Sequence, residues 1–486
     1  MGNSFHVGET PGFLVDVGGG YLGAGSFIES PLVRRHRFVA KQDSGRAGTV
    51  LVLTSIGLVS IVGMMFVVLE SGRVVAKLRH VQNSADSAAL AAALTLVRGQ
   101  SSSSARSSAN SYVSQYNSLA GANVTVSIPP ASGPYAGRTG FVETRVVFPV
   151  ETPLMQAIGG PAFASIHARA VAGLRSDSCR GMVIALDKRV TPGFNCVGNG
   201  QFSIEGECIT NSQGWGVTEN YQSVSGALNG YAASVSGNGC MRADSIRVCG
   251  GVNNPAGFQP YTPGGGTPLR CQSDLYPDPF INLPTPTVST GVINVDRGSI
   301  SMTSSNSTRT FAPGIYTNIR ITSGTSTFQP GIYVIRGGEL RITGGTCRAS
   351  GCMFYITTED YDPNSGLPDC QDGEGAPLTS STHRGGVTIT SNALLNGLDN
   401  SNSPFDGMLV YCRRKNDSAI NVAGNASAGN CTGTVYSKWS QLTLSGQGTF
   451  NTQFVVGCVK WSGNGNMTLR AGGYKLGKSN LVHLVE

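Results

Sequence analysis

Residues 312–324 read APGIYTNIRITSG, and residues 329–345 read QPGIYVIRGGELRITGG. Pro313-Gly314-Ile315-Tyr316 thus returns seventeen residues later as Pro330-Gly331-Ile332-Tyr333, each copy followed by an alternating stretch, NIRIT at 318–322 and ELRIT at 339–343, and a glycine turn. Alternation of apolar and polar positions is the period of a half-buried strand. GVTIT (386–390), AINVAG (419–424), QLTLSG (441–446) and NMTLRAG (466–472) repeat the style. Strands this short bury a face only by stacking on their neighbours. Residues 177–486 are therefore expected to form a parallel β-helix, or β-solenoid, with an irregular β-sandwich as the competing fold.

The composition agrees with a mainly β chain. Only 13% of the 486 residues are charged while glycine reaches 66, which favours tight turns over charged surface helices. The net charge of +7 is spread along the whole chain with no basic run interleaved with aromatics, so no nucleic-acid partner is expected. All twelve cysteines, Cys179, Cys196, Cys208, Cys240, Cys249, Cys271, Cys347, Cys352, Cys370, Cys412, Cys431 and Cys458, fall in the body. An even count without metal-ligand spacing favours disulfides in an oxidising compartment over a zinc site or free thiols.

Toward the N-terminus, Thr49 to Leu69 (TVLVLTSIGLVSIVGMMFVVL) gives twenty-one uncharged positions, enough to cross a hydrocarbon core of roughly 30 Å. Its apolar core is longer than that of a cleaved signal peptide, so an anchor is expected. Arg34, Arg35, Arg37, Lys41 and Arg46 precede it, which puts residues 1–48 in the cytoplasm and the rest outside, although Arg73, Lys77 and Arg79 follow the span. This corresponds to a single-pass protein with a periplasmic or extracellular body.

From Glu70 to Gly99 the chain is nearly free of helix breakers, so the membrane helix is expected to continue outward. Val75, Leu78, Gln82, Ala85, Ala89, Ala92 and Leu96 recur at three- and four-residue steps and form a narrow packing stripe. An intramolecular face is the plainer reading of that stripe, and a seam with another subunit the alternative. Alternating strands at 123–128, 141–149 and 163–174 complete a small pilin-like α/β unit over 70–176.

The run Val81-Gln82-Asn83-Ser84-Ala85-Asp86-Ser87-Ala88-Ala89-Leu90-Ala91-Ala92-Ala93 beyond a signal anchor resembles the TadE/TadG-like Flp (Tad) pilus-assembly proteins, over roughly residues 44–175. The body, with SCRGMVIALD at 178–187 and the PGIY repeats, looks like the β-helical C-terminal region of some members. The resemblance implies an inner-membrane component of a bacterial pilus-assembly or secretion apparatus that binds other proteins of that apparatus and performs no catalysis. Two family features are missing. The strand MVIALD ends in Asp187-Lys188-Arg189-Val190-Thr191, which cannot supply the oxygens of a von Willebrand A metal site. The residue five after Gly48 is Leu53, not the glutamate of a prepilin cleavage signal.

Other motifs have weaker claims. GGYKLGKS at 472–479 fits a Walker A pattern, yet too little chain follows for the helix that would hold phosphates, and Lys478 is expected to face solvent. Asp360-x-Asp362-x-Asn364 opens like a calcium loop without the later glycine and glutamate. Asp274 and Asp278 bracket a proline in a loop and make a poor pair for glycoside cleavage. His167, His383 and His483 have no neighbouring nucleophile in sequence. No cofactor or metal is expected. The alternative to the scaffold is a membrane-anchored β-helical carbohydrate-active enzyme or adhesin, for which a surface carbohydrate is the partner.

Overall fold

The computed structural model describes residues 44–98, 100–157, 159–174, 181–368, 377, 385–390, 393–424, 431–470, 475–478 and 482–486. By contact they divide into a first unit ending at Phe66 and a second running from Val67 to Glu486. A single helix, α1 (Ser44–Val97), opens the described chain. In the first unit its side chains are exposed, among them Leu51, Ile56, Val59 and Met64. This run is apolar and long enough to cross a membrane.

In the second unit the helix acquires an interior face. Val81, Ala85, Ala88, Ala89, Ala92 and Ala93 are buried against Val142, Val146, Ala168, Ala170 and Ala172. The latter come from β2 (Phe141–Glu151) and β3 (Phe163–Leu174), which pair antiparallel, with β1 (Asn123–Ser127) on the far edge of β2. Alanine opposite alanine lets helix and sheet approach closely, and every methyl on both sides leaves water. After α1 the chain turns into α2 (Ser102–Ser111), where the Ser101 side chain accepts from the Ser104 amide at 3.1 Å, a regular N-cap. The serine run thus starts a helix as well as ending one.

The fourth strand of this sheet is Val482–Leu484, which pairs antiparallel with β3. The expected body of 177–486 therefore gives its last residues to the small unit. On β2, one strand further in, Glu143 is buried and accepts from Arg145 at 2.6 Å, Arg169 at 2.8 Å and the Ala131 amide at 2.8 Å. Arg169 also pairs with the side chain of Glu486.

The rest of the second unit is mainly β, and its largest sheet is almost wholly parallel. One ladder runs laterally through Ile300, Ile319, Leu340, Val387, Ile420, Leu442, Val459, Phe194 and Ala233, all buried. A second runs through Tyr333, Phe354, Val410, Val435, Phe454, Val183, Cys208, Ile246 and Leu269. A third set, Thr308–Phe311, Thr325–Phe328, Thr346–Ala349 and Ala393–Leu395, is parallel as well. These ladders fit a β-helix. A sandwich of antiparallel sheets does not describe them.

Two features were not visible in the sequence. First, the order is not sequential: the late strand Gly448–Ser462 pairs with Gly181–Ala185 and Phe194–Val197, so the beginning of the body stacks on its end. Residues 271–298 must then travel back along the outside of the stack. They bond to it in passing: Asn211 Nδ2 to the Tyr276 carbonyl at 2.8 Å, Arg414 to the Leu283 carbonyl at 2.6 Å, and Tyr361 to the Pro286 carbonyl. Phe280, Leu283 and Val292 of this strap cover Val334, Tyr355, Tyr411, Tyr436, Val455 and Ile184. Those strands are therefore apolar on both faces, which explains unbroken runs such as Cys352–Thr357 (CMFYIT).

Second, the PGIY copies are not laterally in register. Gly314 pairs with Tyr333 and Tyr316 with Ile335, an offset of nineteen residues and not seventeen. What the copies share is local. The Tyr316 hydroxyl donates to the Ala312 carbonyl at 2.6 Å and that of Tyr333 to the Gln329 carbonyl at 2.7 Å, in both cases four residues back. Gly331, at φ +140°, carries its backbone within reach of Pro313, where a Cβ would sit 2.5 Å from Cγ.

Two outcomes are expected. Tyr333 is fully buried, with ring centroids of Phe328 and Phe354 at 5.2 and 5.5 Å, so Tyr333→Ala should cost about 3–5 kcal/mol in chemical denaturation of the full chain. A loss below about 1 kcal/mol would remove this residue from the core account. For Glu143, burial pushes the carboxyl up, but Arg145, Arg169, Ser132 and the Ala131 amide outweigh it and hold it down at about 2, below the ordinary 4.5. The depressed value means the network contributes its full stabilisation above pH 4.5, on the order of 3 kcal/mol, and loses it as the pH falls toward about 2. Unfolding midpoints should drop over that window in the wild type and stay flatter in Glu143→Gln; parallel curves would contradict the assignment.

Candidate functional site

The stripe expected on α1 divides in two. Ala85, Ala89 and Ala92 are fully buried in the core of the small unit, and Leu96 packs at its margin. Gln82 donates through Nε2 to Asp86 at 2.8 Å and to the Arg169 carbonyl at 3.0 Å. Val75 and Leu78, by contrast, are 48% and 43% exposed. The helix rotates about 100° per residue, a little less than the heptad spacing assumes, so its first members have drifted off the buried face. The residues that do continue that face, Val81, Ala88 and Ala93, lay one position aside.

Ten cysteines of the body are described, and no disulfide joins any of them. Cys196, Cys208, Cys347, Cys352, Cys412, Cys431 and Cys458 are buried, and Cys240, Cys249 and Cys271 are partly so. Cys179 and Cys370 lie outside the described residues. Burial pushes the thiols of Cys196, Cys352 and Cys412 up to about 12, and those of Cys347, Cys431 and Cys458 up to about 11. The expected bridges are not seen among these ten, which pack as small apolar side chains with little thiolate character. Their inward positions follow from strand alternation: Cys196 stands in the same ladder column as Trp461 and Val235.

The GGYKLGKS motif, described from Lys475 to Lys478, is a clasp. Lys475 Nζ lies 2.7 Å from Asp399 and 2.8 Å from the buried Asp406, while Lys478 is 3.6 Å from Asp406. Lys478 is half-exposed as expected, yet it answers a carboxylate of its own chain. The Gly477 amide donates to Thr434 Oγ1 at 2.8 Å. Gly407, at φ +83°, lets the Leu476 carbonyl come so near that a Cβ there would lie 2.4 Å away. A strand, Val482–Leu484, follows in place of a phosphate-binding helix.

The calcium-like segment closes on itself as well. Asp362 accepts from the Asn364 amide at 3.0 Å and from the amide and hydroxyl of Ser365, and these bonds, led by the Ser365 hydroxyl, hold its carboxyl down. Residues 369–376 lie outside the described set, as does His383. Among the described residues no group of three His, Cys, Asp or Glu could hold a metal ion.

A cavity of about 440 Å³ lies where the strap crosses the ends of neighbouring strands. Leu275, Tyr276, Pro277, Asp278 and Ile281 of the strap form one wall. Opposite stand Leu186, Lys188 and Arg189 after the strand Gly181–Ala185, Asn211 after Gln201–Thr210, and Lys438 and Trp439 within Thr432–Gly446. Asp278, read from sequence as a loop carboxylate, is buried. It accepts from the Tyr436 hydroxyl at 2.8 Å and the Phe280 amide at 3.0 Å, with Lys438 at 3.8 Å. Burial pushes its carboxyl up, with Lys438 opposing. Asp274 does not line this cavity. The Arg189 guanidinium sits 4.4 Å from the centroid of Trp439 and pairs with Asp187 at 3.1 Å. Lys188-Arg189 and Lys438-Trp439 were invisible as partners in the sequence because their adjacency depends on the non-sequential stacking.

No curated protein and no solved structure matches the chain. A family-model match lies in the N-terminal part, over the apolar run and the alanine face of α1. Residues 48–95 match the family model described as Putative Flp pilus-assembly TadE/G-like.

Proposed function

We propose that the chain is a non-catalytic, membrane-anchored component of a Tad/Flp-type pilus-assembly or secretion apparatus, with residues 1–48 cytoplasmic and a β-solenoid body in the periplasm that binds other parts of that apparatus. The carrying observation is that the matched segment, 48–95, coincides with the apolar run and with the helical face that organises the small unit. An anchor that continues without interruption into a folded unit suits a part that holds others in place. The orientation rests on Arg34, Arg35, Arg37, Lys41 and Arg46 ahead of the span. The cysteines, unbridged where described, lend it no weight.

Absence of turnover is supported by how the carboxylate lining the cavity, Asp278, and the one just behind its wall, Asp187, are used. Asp278 is committed to Tyr436 and the Phe280 amide, and Asp187 to Arg189, so neither stands ready as the acid or nucleophile of a glycoside hydrolase. A carbohydrate-active enzyme or adhesin remains the second reading, favoured by the cavity itself.

A reporter fused after residue 300 should be active only on the outer side of the membrane, and activity in the cytoplasm would reverse the topology. Ala85 and Ala89 cannot test assembly, because glutamate there would have to be desolvated in the core of the chain itself. The exposed Val75 and Leu78 can. Val75→Glu with Leu78→Glu should leave the chain folded and inserted but impair pilus assembly in a complementation assay, while Lys478→Ala should leave assembly intact. The opposite pattern would sink the scaffold reading.

A further inference from the structure

The cavity under the strap presents hydrogen-bond donors and few acceptors. Its amide and carboxylate acceptors are already engaged: Asn211 Oδ1 takes the Tyr276 amide at 2.9 Å, and the two Asp278 oxygens take the Phe280 amide and the Tyr436 hydroxyl. The donors are not exhausted. Lys188, exposed at the rim, makes no ion pair among the described residues. Arg189 uses Nε and one terminal nitrogen on Asp187, which leaves Nη1 for a ligand, and its guanidinium plane is fixed by Trp439. Between these cations and the strap the wall is aliphatic, from Leu275, Pro277 and Ile281.

A neutral sugar would find few acceptors for its hydroxyl protons here, and burying them unpaired carries a cost of about 1–3 kcal/mol each. An alkyl group without charge would leave Lys188 and Nη1 of Arg189 with no acceptor but water. We infer that the cavity binds a carboxylate carrying an apolar body, the charge met by Lys188 and Arg189 and the body laid on Leu275, Pro277 and Ile281. Two sources supply that chemistry: a free aliphatic carboxylic acid, or the C-terminus of a polypeptide ending in an aliphatic residue. The volume of about 440 Å³ admits a group of that size. This site is independent of the assembly reading, because neither the span nor the alanine face takes part in it.

The test uses the full chain in an alkyl maltoside, titrated by ligand-observed NMR with hexanoate, N-acetyl-leucine, N-acetyl-leucine amide and glucuronate. Hexanoate or N-acetyl-leucine should bind in the millimolar range or better, and more weakly as salt is raised. The amide and glucuronate should bind at least about tenfold more weakly, and Lys188→Glu should weaken the acids about tenfold. Leu275→Glu, at another exposed position, should do the same and guards against a fault peculiar to one variant. N-acetyl-leucine ahead of hexanoate would identify a polypeptide terminus, and the reverse order a free acid; either supports the site. Failure of both acids to bind, equal binding of the amide, preference for glucuronate, or unchanged affinity in both folded variants would overturn it.

Discussion

The pairing of Gly448–Ser462 with Gly181–Ala185 and Phe194–Val197 is the constraint on which the second unit depends. Parallel strands need a crossover, since their ends point the same way. With the latest strands docked on the earliest, the chain after Arg270 has to run back over nine ladder steps to the coil that Ser299 opens, roughly 43 Å at about 4.8 Å per step. A segment of that length cannot cross a protein surface with its backbone unsatisfied, so it carries its own bonds along: Asn211, Tyr436, Arg414 and Tyr361 each meet it in turn. The strap, the second apolar core beneath it and the cavity at its crossing are three consequences of one lateral pairing.

What could be read from the sequence was what local chemistry sets. The apolar run from Thr49, the helix beyond it, strands near 123–128, 141–149 and 163–174, and the short-strand style of the body all follow from period and composition, and the structure has them within a residue or two. What could not be read was which strands are neighbours. Period predicts that Ile319 faces inward; it has no means of stating that Val459 and Phe194 lie in the same column. The repeat itself misled on register, because PGIY encodes a tyrosine folding back onto its own turn and not a ladder contact. Parity of the cysteines says nothing of their placement either: alternation puts most described thiols inside, where they pack as small apolar residues.

Buried charges mark where distant segments meet. Glu143 ties β2 to β3 and, through Arg169, to Glu486; Asp406 ties residue 406 to Lys475; Asp278 ties the strap to Tyr436. Such pairs are weak sources of net stability, since desolvation offsets much of the attraction. Their effect lies in what they forbid. A strap shifted by two residues, or a C-terminus paired elsewhere, would leave a carboxylate in a dry site without its partner, at several kcal/mol. In a chain with only 13% charged residues, these few positions discriminate among arrangements that apolar packing alone would make nearly equivalent.

The same closure bears on how an anchored body could transmit load. The chain leaves the small unit after Leu174 and returns to it at Val482, where the backbone pairs again with β3. Small unit and body are thus connected by two passages of the chain, and the returning one is fixed by strand pairing and by Glu486 on Arg169. A single linker would leave the body free to swing; two passages ending on adjacent strands restrict rotation as well as separation. For a part whose proposed work is to hold other proteins relative to a membrane helix, that restriction is useful in itself. It also explains why the last residues, exposed and far from the body core in sequence terms, include a charged side chain engaged with a buried network: the return strand has only three paired residues, and backbone bonds over so short a length need a side-chain lock to persist.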